Sequence, residues 1–164
     1  AGGTMASLLG ATGDRKELDQ GDHLDQSSAV QGVVDYYGVV DLTDASAERD
    51  RLTAAENHSN DVPYFAFEAF LGVGYGKEEA EKASAIRYIS EKTPPFMILH
   101  GTKDTVVPME QSQALYDALQ QKGVPCEFVT IEDAVHGDDL FYQDEMTDQV
   151  ISFLNRLSGK ENRR

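Results

Sequence analysis

Cysteine is almost missing from this chain: 164 residues hold one, Cys126. A single thiol excludes an internal disulfide framework and any structural zinc site built from several thiolates. Tryptophan is absent, which excludes nothing. Basic residues are scarce. Fourteen Lys and Arg stand against 29 Asp and Glu, for a formal net charge of −15. So acidic a surface repels phosphate backbones, and nucleic acid is not an expected partner. No apolar run approaches the ~20 residues of a membrane span, so none is predicted. The opening Ala1-Gly2-Gly3-Thr4 has neither the basic start nor the apolar stretch of a secretory leader. It reads as an internal start within a longer protein.

What remains is ordinary for a folded domain. Apolar residues make up 40% and charged residues 26%, too apolar a mixture for a disordered chain. The length fits one domain. We place it over residues 1–157, followed by a polar tail over 158–164. No internal repeat or low-complexity tract interrupts it.

Strand and helix patterns alternate along the chain. Gly3 to Gly10 is small and apolar, and reads as a short, closely packed helix. Val30 to Tyr37 is rich in β-branched and aromatic residues and reads as a strand. Some helical character runs from Ala45 to Glu56, and a charged helix from Lys77 to Ser84. After the breaker Pro94-Pro95 comes Phe96-Met97-Ile98-Leu99-His100, a continuous apolar run typical of a strand buried on both faces. Pro108 suits the start of a helix whose face is Ala114, Leu115, Ala118 and Leu119, with Gly123 at its C-terminal cap. Glu127 to Ile131 reads as a strand. Asp138 or Asp139 is expected to cap a last helix with Leu140, Thr147, Val150, Ile151, Leu154 and Leu157 as its buried stripe. This order implies a parallel sheet with helices on both faces. Three strands make a thin core, which points to further strands outside this sequence.

Ligands of open α/β sheets gather at the carboxyl ends of the strands. Asp104 lies just past the strand 96–100, and His136 just past the strand 127–131. A right-handed crossover through one helix sets the two loops side by side. An Asp beside a His fixes the imidazole tautomer and stabilises its protonated form. That is the acid–base half of a nucleophilic triad. The bland alternative is a loop aspartate and a surface histidine.

These residues resemble the C-terminal part of an α/β-hydrolase. In that family a strand ends in His-Gly-x-x-Asp, followed by x-Val-Pro and a helix, then a strand and a loop ending in His-Gly. Here the pattern is His100-Gly101-Thr102-Lys103-Asp104, Val107-Pro108 and His136-Gly137. Ala1-Gly2-Gly3-Thr4-Met5-Ala6 is similar to the segment just after the nucleophile in Gly-x-Ser-Ala-Gly-Gly. Val33 to Gly38, with Asp41-Leu42, is similar to the strand and loop that follow. The best match is the esterase/lipase branch with feruloyl-esterase-like and acetyl-esterase-like enzymes, over roughly 1–157. The resemblance implies a three-layer α/β-hydrolase fold, represented here by the C-terminal portion of a mostly parallel sheet with flanking helices. It implies Asp104 as orienting acid and His136 as general base. The nucleophilic serine would stand immediately before Ala1, outside this sequence, and the Ala1 backbone N–H would be an oxyanion donor. It implies a small-molecule ester as substrate, no metal and no organic cofactor. The chain alone is expected to be inactive, and to associate with the missing N-terminal half or with itself.

Other candidates carry less. Tyr64, Phe65, Phe67 and Phe70 read either as a core-facing helix or as a wall of the acyl pocket, since this segment often overhangs the site in the family. His100 reads as structural, and His23 and His58 as solvated. Asp14, Asp19, Asp22 and Asp25 lack the spacing of a calcium loop. Gly72 to Gly76 lacks the Lys-Ser/Thr ending of a phosphate loop. Cys126 reads as a buried thiol preceding a strand. Ser7 and Ser28 sit at no strand-to-helix elbow and do not replace the serine. Beside the esterase stand a peptidase of the same fold and a hydrolase-like module that binds without turnover. A flavodoxin-like or regulatory α/β domain is disfavoured, because no phosphate loop or acidic pocket of that kind is present.

Overall fold

The computed structural model describes residues 1–43 and 64–159. The predicted helical stretch Ala45–Glu56, His58 and positions 160–164 of the polar tail lie outside the described residues. Three strands form one parallel sheet in the order β1 (Val33–Tyr36), β2 (Phe96–Gly101), β3 (Cys126–Ile131). The helices are α1 (Gly2–Thr12), α2 (Tyr64–Leu71), α3 (Lys77–Ala83), α4 (Met109–Gln121) and α5 (Asp144–Leu157). Short 3₁₀ turns occupy Lys16–Leu18, Ala85–Tyr88 and Asp139–Tyr142.

The central strand explains the layering. Every residue of β2 is buried. Phe96 and Ile98 enter one core with Ala11 of α1, Val33, and Leu115 and Leu119 of α4. Met97 and Leu99 enter a second core with Ile131, Phe141 and Phe153 of α5. Side chains alternate across a strand, so a strand with helices on both faces must be apolar at every position. The Phe-Met-Ile-Leu run meets that demand.

The structure corrects several sequence expectations. The first strand begins at Val33, not Val30. Gly32 passes so close to Leu157 that a Cβ there would lie 2.2 Å from Leu157 Cδ1. Asp138 caps the 3₁₀ turn, accepting from the Leu140 N–H at 3.0 Å, and α5 starts later with Gln143 before it. The buried stripe of α5 is also rotated from the expected one. Met146, Val150, Phe153 and Leu157 pack on the second core, while Ile151 and Leu154 are 48% and 47% exposed. The sequence reading missed Phe153, whose ring sets the phase of the face. Cys126 is the first residue of β3 and half-buried, rather than a buried residue before it. Burial raises its thiol pKa, partly offset by the Gln120 amide 3.2 Å from the sulfur.

Candidate active site

Two loops leave the carboxyl ends of β2 and β3 and are tied together. Gly101, the last residue of β2, is required here: a Cβ would come within 2.3 Å of the Ala134 carbonyl oxygen. This approach lets the Thr102 N–H donate to Ile131 O and the Lys103 N–H to Ala134 O, both at 3.0 Å. In return the Asp133 N–H donates to Thr102 Oγ1 at 2.9 Å, and Lys103 pairs with Asp133 at 2.6 Å. Asp133 holds a φ of 63° and Gly137 one of 73°, so tight left-handed turns present His136 between them.

Within this frame Asp104 is an acceptor on every side. Its Oδ1 accepts from the Val106 and Val107 N–H groups at 2.8 and 2.9 Å. Its Oδ2 lies 2.8 Å from His136 Nδ1. The Asp104 side chain is 1% exposed and that of His136 30%. A carboxylate can only accept, so His136 Nδ1 carries the proton of that bond. The Nε2 lone pair then sits on the edge of the ring opposite Asp104. The structure thus brings together the two residues that the strand-end argument paired.

His100 closes the loop from beneath. It is fully buried, with Nδ1 2.7 Å from Ser112 Oγ and Nε2 2.9 Å from Val107 O. A carbonyl only accepts, so Nε2–H is the donor. The same Nε2 is 3.4 Å from Asp104 Oδ2. His100 therefore braces the turn that carries Asp104.

The other side of the site is built by α1 and the turn after β1. Ala1 precedes α1, and its carbonyl accepts from the Met5 N–H at 3.0 Å. Asp35 is fully buried and clamps the two elements. Its Oδ2 accepts from Ser7 Oγ at 2.8 Å and its Oδ1 from the Gly38 N–H at 2.9 Å. Burial raises the Asp35 carboxyl above the usual carboxylate range, opposed by Ser7, Gly38 and nearby positive charge. A Cβ at Gly3 would meet Asp35 Oδ1 at 2.3 Å and Gly38 Cα at 2.9 Å, so this contact also demands glycine. Ser7 is committed to Asp35, and exposed Ser28 donates to Asp19 at 3.1 Å. Neither is poised as a nucleophile.

The rings packed around His136 come from other positions than α2. Tyr64, Phe65, Phe67 and Phe70 do lie on one helix, α2, with Phe67 and Phe70 half-buried; the side chains of Tyr64 and Phe65 lie outside the described set. The ring packed on His136 belongs to Tyr37, with centroids 4.4 Å apart. Phe141 stands edge-on to Tyr37 at 4.7 Å. Tyr36 and Tyr142 stack at 6.4 Å and 18° beside them. Sequence reasoning overlooked these four. The available signal was position: Tyr36 and Tyr37 end the strand before Gly38, and Phe141 and Tyr142 follow His136 by barely more than one turn. Tyr37 has a φ of 43°. Its hydroxyl pKa is pushed up to about 12, by burial first and by its hydrogen bond with Tyr142 next. Among the described residues no group of three His, Cys, Asp or Glu could hold a metal ion, and Asp14, Asp22 and Asp25 are exposed.

Comparison with known proteins identifies the family and the fold. The BD-FAE family profile matches residues 1–119. Esterase LipQ of Mycobacterium tuberculosis is 32% identical over 164 residues, covering 98% of this chain and 37% of that protein. A probable dipeptidyl-peptidase 5 of Aspergillus niger is 29% identical over 72% of this chain and 15% of its own length. Among solved structures, a truncated carbohydrate esterase from gut microbiota superposes with a TM-score of 0.74 at 23% identity. It covers 97% of this chain and 57% of the other. An acetyl ester-xyloside bifunctional hydrolase from Caldicellulosiruptor lactoaceticus gives 0.69 at 24% identity, covering 98% and 54%. The chain thus spans a little over a third of LipQ and a little over half of these structural neighbours.

Proposed function

The chain belongs to the BD-FAE family and has the α/β-hydrolase fold, and from that premise we propose that it carries the acid and base of a serine carboxylic ester hydrolase. The observation behind this reading is the 2.8 Å contact between His136 Nδ1 and Asp104 Oδ2 at the carboxyl ends of adjacent parallel strands. The nucleophile is a serine immediately before Ala1 in the whole protein. His136 Nε2 takes the serine proton as the oxygen attacks the ester carbonyl carbon, and the carbonyl pair moves onto oxygen. Asp104 holds the imidazole and offsets its charge. The Ala1 N–H, at the positive end of α1, donates to the oxyanion. Collapse breaks the C–O bond, and the leaving alcohol takes the proton from Nε2. Water then repeats the sequence on the acyl-enzyme and frees the acid. Of the aromatic residues on α2, Phe67 and Phe70 contribute a wall of the substrate pocket. The chemistry uses no metal or organic cofactor.

Turnover of p-nitrophenyl acetate by the whole protein tests the assignment. His136→Ala should lower kcat by roughly 10³-fold or more with KM little changed. Retained turnover in that variant sinks the reading. The present chain, tested alone, should give no turnover. The likeness to a peptidase supports one rival, so a dipeptidyl chromogenic substrate belongs in the same assay. Failure of a fluorophosphonate to label the whole protein would favour a module that binds without turnover.

A covering partner is also proposed. Among the described residues β1 pairs only with β2, which leaves its other edge open. Met5 and Leu9 on α1 and Ile151 and Leu154 on α5 are 45–55% exposed. Open edges and apolar helix faces are buried in stable proteins. Their occupant is the rest of the parent sheet or, for the chain alone, a second copy. Sedimentation at micromolar concentration should show self-association; a stable 18.0 kDa monomer would count against it.

A further inference from the structure

We propose that Tyr37 is a positioning residue for His136, its ring forming a platform that holds the imidazole in line with the carboxylate of Asp104. This rests on the reading of His136 as general base. One hydrogen bond, from Nδ1 to Asp104, does not fix an imidazole: the ring can still turn about that contact and carry Nε2 away from its target. The Tyr37 ring, with its centroid 4.4 Å from that of the imidazole and tilted by 58°, packs against His136 and restricts that turn.

The platform is itself held on several sides. The Tyr37 N–H donates to Leu99 O at 2.9 Å, which fixes its backbone to the end of β2. Phe141 stands edge-on at 4.7 Å and Tyr36 at 6.2 Å. Phe141 and Tyr142 belong to the 3₁₀ turn that follows His136. Tyr37 is therefore gripped between the base and the continuation of the base's own loop.

The backbone supplies a second, independent observation. A φ of 43° is unfavourable for a bulky residue and suits glycine or asparagine. The next residue is Gly38, yet the ring stands at the strained position. Strain of this kind persists where the surrounding structure enforces it, and here it aims an aromatic ring at the proposed base. A side chain needed only to fill the core would not require this backbone.

The test separates ring from backbone. Tyr37→Phe keeps the π-face, while Tyr37→Gly relieves the strained φ and removes the ring. In the chain itself, the imidazole carbon-bound protons of His136 should be displaced from their usual positions in NMR spectra by the Tyr37 ring current. Y37F should keep that displacement, and Y37G should lose it and broaden the signals. In the whole enzyme Y37G should lower kcat roughly 10²-fold, the scale of a misplaced catalytic group, with KM within about twofold; Y37F should stay near the parent. Unchanged His136 signals and kcat in Y37G would overturn the proposal. If Y37G does not fold, Tyr37→Leu, which keeps the bulk without a π-face, is read in the same way. The general-base reading is tested apart, by whether H136A in the whole enzyme abolishes turnover while the ring-current displacement in the unsubstituted chain is unaffected.

Discussion

Replacing Asp35 separates its hydrogen bonds from its charge. The side chain is fully buried and accepts from Ser7 Oγ and the Gly38 N–H. Asp35→Ala leaves both donors without a partner. Each unmet buried group costs roughly 1–3 kcal/mol, so the variant should lose about 2–6 kcal/mol. Asp35→Asn behaves differently. Its amide oxygen still accepts from Gly38, and its NH₂ donates to Ser7 Oγ, which becomes the acceptor. The buried ionisable group is gone. Burial raises the Asp35 carboxyl in the folded protein above its unfolded value, so the folded state binds the proton more tightly. Its favourable contribution is complete below the unfolded value and is lost as pH rises through the folded one. Relative to the parent, D35N should therefore do better above that window and lose ground as the solution is acidified through it. Urea unfolding at pH 7 and at pH 4 reads both effects. At a slope of about 1–3 kcal/mol per molar, D35A should lower the midpoint by roughly 1 M or more. Equal losses in D35A and D35N at pH 7 would refute the hydrogen-bond argument. A D35N that gains on the parent as pH falls would refute the argument from burial.

Three further predictions are simpler. Gly101→Ala drives a methyl into the Ala134 carbonyl, 2.3 Å away; thermal unfolding should show a loss of about 1–3 kcal/mol, as expected of overpacking, and a loss under about 0.5 would show that the loops yield freely. In an alkaline titration followed by phenolate absorbance, Tyr37 should ionise at about 12. Its stabilising share is complete below about pH 10 and lost as pH rises through 12, and Y37F should remove that step. Cys126, whose thiol is raised by burial, should react with a disulfide reagent more slowly in the folded chain than in urea; equal rates would place the sulfur in solvent.

The parts legible in the sequence were those with one physical cause. Phe96 to Leu99 needed only the demand of two-sided burial. Asp104 and His136 needed only the rule that ligands gather at strand ends, together with the resemblance. Gly123 was legible as a helix stop because a left-handed residue after α4 favours glycine, and its φ is 70°. The misses had competing causes. Asp138 is a good cap, but it caps the nearer 3₁₀ turn because Leu140 and Phe141 are drawn into the core before α5 begins. On α5, two apolar stripes compete; Phe153 decides for one and leaves Ile151 and Leu154 outside. Tyr37 was hidden because its role depends on a positive φ, which nothing in a Tyr-Tyr-Gly sequence announces.

The position of β1 links the two halves of the proposed site. Asp104 and His136 need only β2, β3 and the ties between their loops. The nucleophile side rests on α1, which reaches the sheet through Ser7, Asp35 and the glycine contact at Gly3 and Gly38. Asp35 faces α1, while its neighbours Val34 and Tyr36 face the second core and Tyr37 turns onto His136. The pairing Asp35↔Ile98 and Tyr36↔Leu99 sets all of these together. A slip of one residue in β1 would exchange its faces, removing the Asp35 carboxylate from Ser7 and carrying Tyr37 from the imidazole. The buried Asp35 that holds α1 thus also helps to maintain the register that places an aromatic ring on His136. Weakening the Asp35 clamp should therefore disturb His136, although the two residues share no hydrogen bond.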